Sequence, residues 1–192
     1  TTNREFRIIM NKDILKKFEL AEKLLAEKKY EESIANFKEI LKIESNLVPA
    51  IYNLGLCYEF SNQLDMAELN YNKCHSIKPG EIRFINNLAV IYLKQKKFQQ
   101  ALPLLKKSLE INENQQIIVY YTFMCLTDLN KREDAVKFGN EKLKTFSDDS
   151  ELNKLHGKNL MSLNKHKEGL KYLKKATGFI ELEGNNTNIV TN

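Results

Sequence analysis

Histidine and cysteine are the side chains in this sequence that most readily bind metal ions or attack substrates. There are three of each: His75, His156, His166, Cys57, Cys74 and Cys125. No His lies three or four residues from a second His or Cys, the spacing that places two ligands on one helix face. We therefore expect no metal site and no catalytic residue, and we interpret His156 and the three cysteines as packed core residues.

The other chemically capable residues also lack a convergent arrangement. The seven glycines are spread along the chain and form no Gly-rich phosphate loop. Carboxylates are plentiful, but in stretches such as "ELEG" and "DDSE" they are typical of solvated helix surfaces and helix caps. The sequence therefore predicts a protein that is not an enzyme and binds no cofactor.

Composition narrows the class of protein. The 192 residues are 42% hydrophobic and 29% charged, which is typical of a folded chain that buries a core. No apolar run approaches the roughly 18 to 20 residues that cross a bilayer, and the first residues do not resemble a signal peptide. Three cysteines without a C-x-x-C pair indicate a reducing compartment. We expect a cytoplasmic protein without membrane contacts.

One packing pattern returns at a fixed spacing. The stretch "YNLGLCYEF" at 52–60 is followed 34 residues later by "NNLAVIYLK" at 86–94, with Leu54 and Leu88 at the equivalent place. Such a period is typical of a repeat protein. Five units follow without insertion, at 14–47, 48–81, 82–115, 116–149 and 150–183. Residues 1–13 are then an N-terminal extension and residues 184–192 a polar C-terminal tail.

The pattern within each unit predicts two helices in close contact. In the first helix, positions 4, 7, 8 and 11 share a face, and position 8 is small, as at Gly55. In the second helix, position 20 is small in every unit, as at Ala67, while position 24 is bulky, as at Tyr71. Small residues that face each other let antiparallel helices approach, and the bulky residue fills the remaining space.

Short turns separate the helices. Position 15 is Asn in three units, at Asn62, Asn130 and Asn164. Because Asn tolerates the left-handed conformation that ends helices, we expect a tight turn there. Pro79, at position 32, marks the end of the second unit.

This pattern resembles the tetratricopeptide repeat family, most fully in the unit "VPAIYNLGLCYEFSNQLDMAELNYNKCHSIKPGE" at 48–81. The resemblance covers five tandem 34-residue repeats. It implies an all-α fold: a right-handed superhelical α-solenoid of antiparallel helix pairs, with a concave groove lined by the first helix of each pair.

The fourth unit departs from the pattern. Phe123 is bulky at position 8, where the other units are small, and Gly139 is small at position 24, where they are bulky. We interpret the pair as a compensated exchange of volume between facing helices.

The resemblance also implies which residues face the groove, because positions 2, 5, 6, 9, 12 and 13 point into it. The candidate partner-binding residues are Tyr52, Asn53, Leu56, Arg83, Asn86, Asn87, Val90, Tyr120, Tyr121 and Met124. Their aromatic and apolar members are suited to anchoring a peptide. Asn at position 6 resembles the asparagine ladder of the O-linked N-acetylglucosamine transferase family, although only Asn53 and Asn87 preserve it. Phe60, at position 13, is either part of this strip or a core residue.

Charge argues against two kinds of ligand. The groove positions carry four cations and five anions, whereas a nucleic-acid site needs a basic groove, so we expect no nucleic acid. The chaperone-tail carboxylate clamp of the family is matched only at Asn53 and Arg83, and Glu22 would repel a carboxylate.

The sequence therefore predicts a protein–protein interaction module that binds a partner peptide or helix in its groove. One alternative is a substrate-recruiting arm of a larger enzyme, such as a glycosyltransferase or sulfotransferase. Another is a homodimer formed through the ends of the repeats.

Overall fold

The computed structural model describes residues 11–178, which form ten α-helices and no strand. The first six helices are α1 (Lys12–Ala26), α2 (Tyr30–Ile43), α3 (Val48–Phe60), α4 (Leu64–Ile77), α5 (Ile82–Lys94) and α6 (Phe98–Ile111). The last four are α7 (Gln116–Asp128), α8 (Arg132–Lys142), α9 (Ser150–Ser162) and α10 (His166–Thr177). The all-α prediction is confirmed. The N-terminal residues before Asn11 and the predicted polar tail lie outside the described residues.

The helices belong to two compact units, one ending at Asn112 and the other beginning at Glu113. In the first unit, α1 to α6 pack in chain order, each against the next. In the second unit, α7 packs on α8, α8 on α9, and α9 on α10. Short connections make consecutive helices antiparallel neighbours. The superhelical path and the division into five repeats stay predictions.

Each helix pair turns through a left-handed residue. Asn62, Asn130 and Asn164 have φ values of 60°, 56° and 61°, which confirms the prediction for these asparagines. Lys28 and Lys96 adopt the same conformation, with φ values of 61° and 58°, and residue type did not reveal them.

One backbone hydrogen bond accompanies this turn in every helix pair. In the first pair the Lys29 N–H donates to the Leu24 carbonyl at 2.9 Å, and in the third the Lys97 N–H donates to the Tyr92 carbonyl at 2.8 Å. This six-to-one bond is the Schellman closure of a helix, and it needs the left-handed residue. Backbone geometry therefore imposes that conformation whether the residue is Asn or Lys.

Small residues admit large neighbours in the first unit, as the pattern predicts. A Cβ atom at Gly55 would lie 2.7 Å from the ring of Tyr71, which is fully buried. Phe18 and Phe37 meet edge to face with ring centroids 5.5 Å apart. The first contact joins α3 to α4, and the second joins α1 to α2.

In the second unit the exchange of volume is visible. A Cβ atom at Gly139 would lie 2.2 Å from Nδ1 of His156 and 2.8 Å from Cζ of Phe123. Both side chains are fully buried or nearly so. The space that a bulky residue of α8 would occupy is thus filled from α7 and α9, and the interpretation of His156 as a packing residue is confirmed.

Candidate partner-binding surface

A cavity of about 370 Å³ lies beside α3 and α5 in the first unit. Tyr52, Asn53 and Arg83, three of the predicted groove residues, line it. The remaining lining residues are Phe18, Glu22, Val48, Pro49, Lys78, Glu81 and Phe84. The family resemblance implied that Tyr52, Asn53 and Arg83 face one groove, and the structure brings the three together at this cavity.

The floor of this cavity is aromatic. The Tyr52 ring packs against Tyr71 and Phe84, with centroid separations of 5.8 and 5.5 Å. The guanidinium of Arg83 lies 5.1 Å from the centroid of Tyr52 and 5.4 Å from that of Phe84. Such cation–π contacts orient the guanidinium and leave its N–H groups available to a ligand.

The two asparagines of the partial ladder already have partners within the unit. Asn53 Nδ2 donates to Glu22 Oε1 at 3.3 Å, and Asn87 Nδ2 donates to the Tyr52 hydroxyl at 3.0 Å. An amide group has two N–H donors and a carbonyl acceptor. Asn53 therefore keeps a second N–H donor for a peptide backbone, whereas Asn87 also bonds to Tyr71 and keeps its carbonyl acceptor.

Asn86 plays a different part. Its Oδ1 accepts a hydrogen bond from the buried Ser108 hydroxyl of α6. This residue therefore joins the two helices of its pair. Leu56 and Val90 are half-buried and do not line the cavity.

Opposite charges balance within the cavity lining. Lys78 and Arg83 are matched by Glu22 and Glu81, and Arg83 Nε lies 4.0 Å from a Glu81 carboxylate oxygen. A single anionic group therefore meets no strong net attraction here. Backbone hydrogen bonding and aromatic contact suit this lining better than recognition of a charged terminus.

A polar network stabilises the same helices. The Tyr71 hydroxyl donates to Glu59 Oε2 at 2.8 Å, and Lys94 Nζ donates to Glu59 Oε1 at 2.6 Å. Burial and the adjacent Glu59 carboxylate raise the pKa of Tyr71 far above its ordinary value, so the phenol keeps its proton. The ion pair with Lys94 balances the charge of the groove anion Glu59. Phe60 is 57% exposed, which excludes the core alternative for this residue.

The other predicted residues lie on α7 in the second unit. Tyr120, Tyr121 and Met124 are half-buried, and the two tyrosine rings are 5.8 Å apart. Tyr120 lines an open cavity of about 750 Å³ together with the exposed Ile117. The rest of its lining consists of Gln116, Asp149, Ser150 and Glu151. Tyr121 and Met124 do not line this cavity.

The sequence interpretation missed four lining residues of the first cavity, one of which is Val48 at the start of α3. Lys78 and Glu81 lie in the connection between α4 and α5, and Phe84 is 2% exposed. The family's groove positions all lie within first helices, whereas this connection also contributes to the lining. The "KPGE" turn beside Arg83 was the available signal.

The cysteines are packed inside the helix pairs. All three are unpaired and fully buried, which confirms them as core residues. Burial raises the pKa of the Cys74 and Cys125 thiols to about 12, so both are protonated near neutral pH. Between Asn11 and Gly178, no three His, Cys, Asp or Glu side chains are grouped as metal ligands.

Within residues 11–178, none of the helices combines the length and the apolar character that crossing a bilayer requires.

Comparison with known proteins identifies related chains. Family models described as tetratricopeptide repeat match residues 48–81 and 82–115. Anaphase-promoting complex subunit 3 of Schizosaccharomyces pombe (strain 972 / ATCC 24843) is 24% identical over 166 residues, which are 86% of this chain and 24% of that protein. The chain thus spans about a quarter of the curated relative it matches.

Solved structures share the fold. MamA (41-end) from Desulfovibrio magneticus RS-1 superposes with a TM-score of 0.79 at 15% identity, covering 88% of this chain and 96% of that one. YrrB, described as a TPR protein with an unusual peptide-binding site, has a TM-score of 0.76 at 19% identity, covering 85% and 84%.

The matched models, the repeated helix pairs and the left-handed turn that closes each first helix agree with one another, and residues 48–115 of this chain are tetratricopeptide repeats.

Proposed function

We propose that this chain is a non-catalytic interaction module that binds an extended or helical segment of another protein along the first helices of its pairs. Tetratricopeptide repeats generally serve as protein-interaction scaffolds rather than catalysts. The related anaphase-promoting complex protein is by name a subunit of a complex, which agrees with a partner-binding role. The proposal places this chain in the cytoplasm, and its ligand is neither nucleic acid nor membrane.

The observation that carries the proposal is the arrangement around the first cavity. Tyr52 and Phe84 supply an aromatic floor, while Asn53 and Arg83 supply donors beside it. A peptide backbone offers carbonyl acceptors at regular intervals, and its apolar side chains gain from contact with the aromatic floor. Balanced charge favours a segment that is not strongly acidic or basic.

The test is a selection of peptides from a random library against the full chain, followed by measurement of Kd by fluorescence anisotropy. Arg83→Ala and Asn53→Ala each remove a donor at the cavity rim. We expect each to weaken binding about five- to thirtyfold, as loss of roughly 1 to 2 kcal/mol at a central contact would. Lys106→Ala, at an exposed position of α6, is the control and should leave Kd unchanged.

Two results would contradict the proposal. In one, the selected peptides bind both cavity variants as tightly as the native chain. In the other, sedimentation shows a stable dimer and the peptides bind only the monomer, which would favour self-association over a separate partner.

A further inference from the structure

A second, smaller cavity in the C-terminal unit differs in charge from the candidate partner-binding surface. Its volume is about 230 Å³. Three lysines contribute to it: Lys144 after α8, and Lys171 and Lys175 on α10. The remaining lining residues are Asn140, Leu143, Ser147, Asn153 and Tyr172, so the lining contains no carboxylate.

An unsatisfied polar group marks the floor of this cavity. Asn153 is 1% exposed, and its Nδ2 donates to the carbonyls of Ser147 and Asp149, each at 2.7 Å. Its Oδ1 has no hydrogen-bond partner. A buried acceptor without a donor costs about 1 to 3 kcal/mol. A ligand with an O–H or N–H donor that reaches this oxygen recovers that cost.

One acidic side chain pairs with a lysine of the lining. Asp148, 92% exposed at its side chain, pairs with Lys175 at 3.3 Å and accepts from the Ser147 hydroxyl at 3.1 Å. One of the three lysines is therefore partly neutralised, and the pair is exposed enough for a competing anion to displace it.

The volume of the cavity and the positive charge of its lining indicate which chemical group fits it. The cavity is below the roughly 300 to 1,000 Å³ of a site for drug-sized molecules, so it suits one functional group rather than a whole cofactor. A phosphoryl group on a Ser or Thr side chain carries about −1.5 to −2 charges near neutral pH, which matches several lysines better than a single carboxylate does. The peptide N–H groups beside it supply the donor that Asn153 lacks.

The geometry points to a phosphoryl-binding site for a phosphorylated Ser or Thr of a partner protein, formed by α8, α9, α10 and the 143–149 connection. Its lining residues differ from those of the proposed peptide surface, so an experiment that rejects one site does not reject the other.

The test is an NMR titration of the isotope-labelled full chain with four probes. These are a short Gly-rich peptide with a central phosphoserine, the same peptide with Ser, the same peptide with Glu, and inorganic phosphate. We expect the phosphopeptide to shift the Asn153 side-chain amide and the backbone amides near Lys171, with a millimolar to high-micromolar Kd. The Ser peptide should cause no shift, and inorganic phosphate should bind at least fivefold more weakly than the phosphopeptide.

Three variants sharpen the result. Lys171→Met and Lys144→Met remove charge from separate elements, so failure of one to fold leaves the other, and each should weaken phosphopeptide binding at least threefold. Asp148→Asn frees Lys175 and should tighten binding by about two- to fivefold. Lys106→Met, in the other unit, is the control.

The inference is overturned if the shifts spread over all exposed lysines, or if both lysine variants bind like the native chain. Equal affinity for inorganic phosphate would reassign the cavity to free anions, and equal affinity for the same peptide with Glu would reassign it to carboxylates.

Discussion

At the scale of single residues, the buried imidazole of His156 has the clearest consequence. Its ring is fully buried, meets Tyr172 edge to face at 4.4 Å, and neither ring nitrogen has a hydrogen-bond partner. Burial lowers the pKa of His156 to about 4, although the Glu168 carboxylate opposes this shift. The imidazole is therefore neutral in the folded state and protonates far more readily after unfolding.

The first prediction concerns pH. Between the ordinary His pKa near 6.5 and the folded value of about 4, the unfolded state binds the extra proton, so stability falls as pH falls. Over this pH range His156 should lower the free energy of unfolding of the C-terminal unit by about 3 kcal/mol, and His156→Leu should abolish this decrease. The same substitution should also raise the free energy of unfolding at pH 7, because it removes two buried ring nitrogens that lack partners. Chemical denaturation at pH 7, 5.5 and 4 measures both effects.

His166→Gln, at an exposed position of α10, is the matched control and should keep the native pH dependence. A His156→Leu chain that loses stability with acid as steeply as the native chain would contradict this account.

The second prediction concerns the left-handed lysines. Lys96 has a φ of 58° and is exposed. Its side chain therefore contributes little packing energy, while the left-handed conformation of its backbone is unfavourable for a residue with a Cβ atom. Lys96→Asn should raise the free energy of unfolding by about 0.5 kcal/mol, because Asn tolerates this region better. The reverse change, Asn62→Lys, should lower it by a similar amount. Urea denaturation would refute the idea if both variants moved in the same direction.

At the scale of helices, the fourth pair packs by placing two bulky side chains of neighbouring helices in the space beside a glycine. Phe123 of α7 and His156 of α9 occupy the space beside Gly139 of α8. The sequence predicted the exchange between Phe123 and Gly139. The contribution of α9 required the structure, since His156 is 17 positions beyond Gly139 in the chain.

The third prediction tests this packing. Phe123→Ala should lower the free energy of unfolding by about 3 to 5 kcal/mol, because it leaves a cavity in the core. Gly139→Ala should also destabilise, because its new Cβ would meet Phe123 and His156. In the double variant the two effects should partly cancel, and a double-mutant cycle by denaturation measures the coupling. Strict additivity, or no loss in Phe123→Ala, would count against compensation.

The fourth prediction concerns a proline that the sequence interpretation passed over. Pro103 lies inside α6, where it cannot donate a backbone hydrogen bond, and it is exposed. Pro103→Ala should stabilise the N-terminal unit by about 1 to 3 kcal/mol. Pro49, in the first turn of α3, is the matched control, and Pro49→Ala should change the unfolding free energy much less. If Pro103→Ala left the free energy of unfolding unchanged, the proline ring would not destabilise α6, and the prediction would be wrong.

At the scale of the whole molecule, the candidate residues are divided between two units, Asn87 in the first and Tyr121 in the second. Asn87 also bonds to Tyr52, so its loss affects the orientation of the aromatic floor. If one partner contacts both units, the free-energy losses of two distant substitutions should add.

The fifth prediction follows. Asn87→Ala and Tyr121→Ala should each weaken binding of the natural partner about fivefold, and the double variant about twenty-five-fold, without unfolding the helices. Affinity by calorimetry and helix content by circular dichroism are the measurements. Unchanged affinity in the double variant rejects these residues as a site, whereas loss in one variant alone assigns the partner to one unit.

The sequence by itself determined the helix pairs and their family, because small and large side chains must recur in phase wherever neighbouring helices pack alike. Ala67 beside Gly55 and Tyr71 is such a local signal, and so are the turn asparagines. Only the tertiary structure decided that Asn86 faces Ser108, that Phe60 is exposed, and that Lys144 and Lys171 share a cavity with Asn153. Those facts depend on which helices meet and how side chains turn at their contacts, and a periodic pattern of residue types carries no such information.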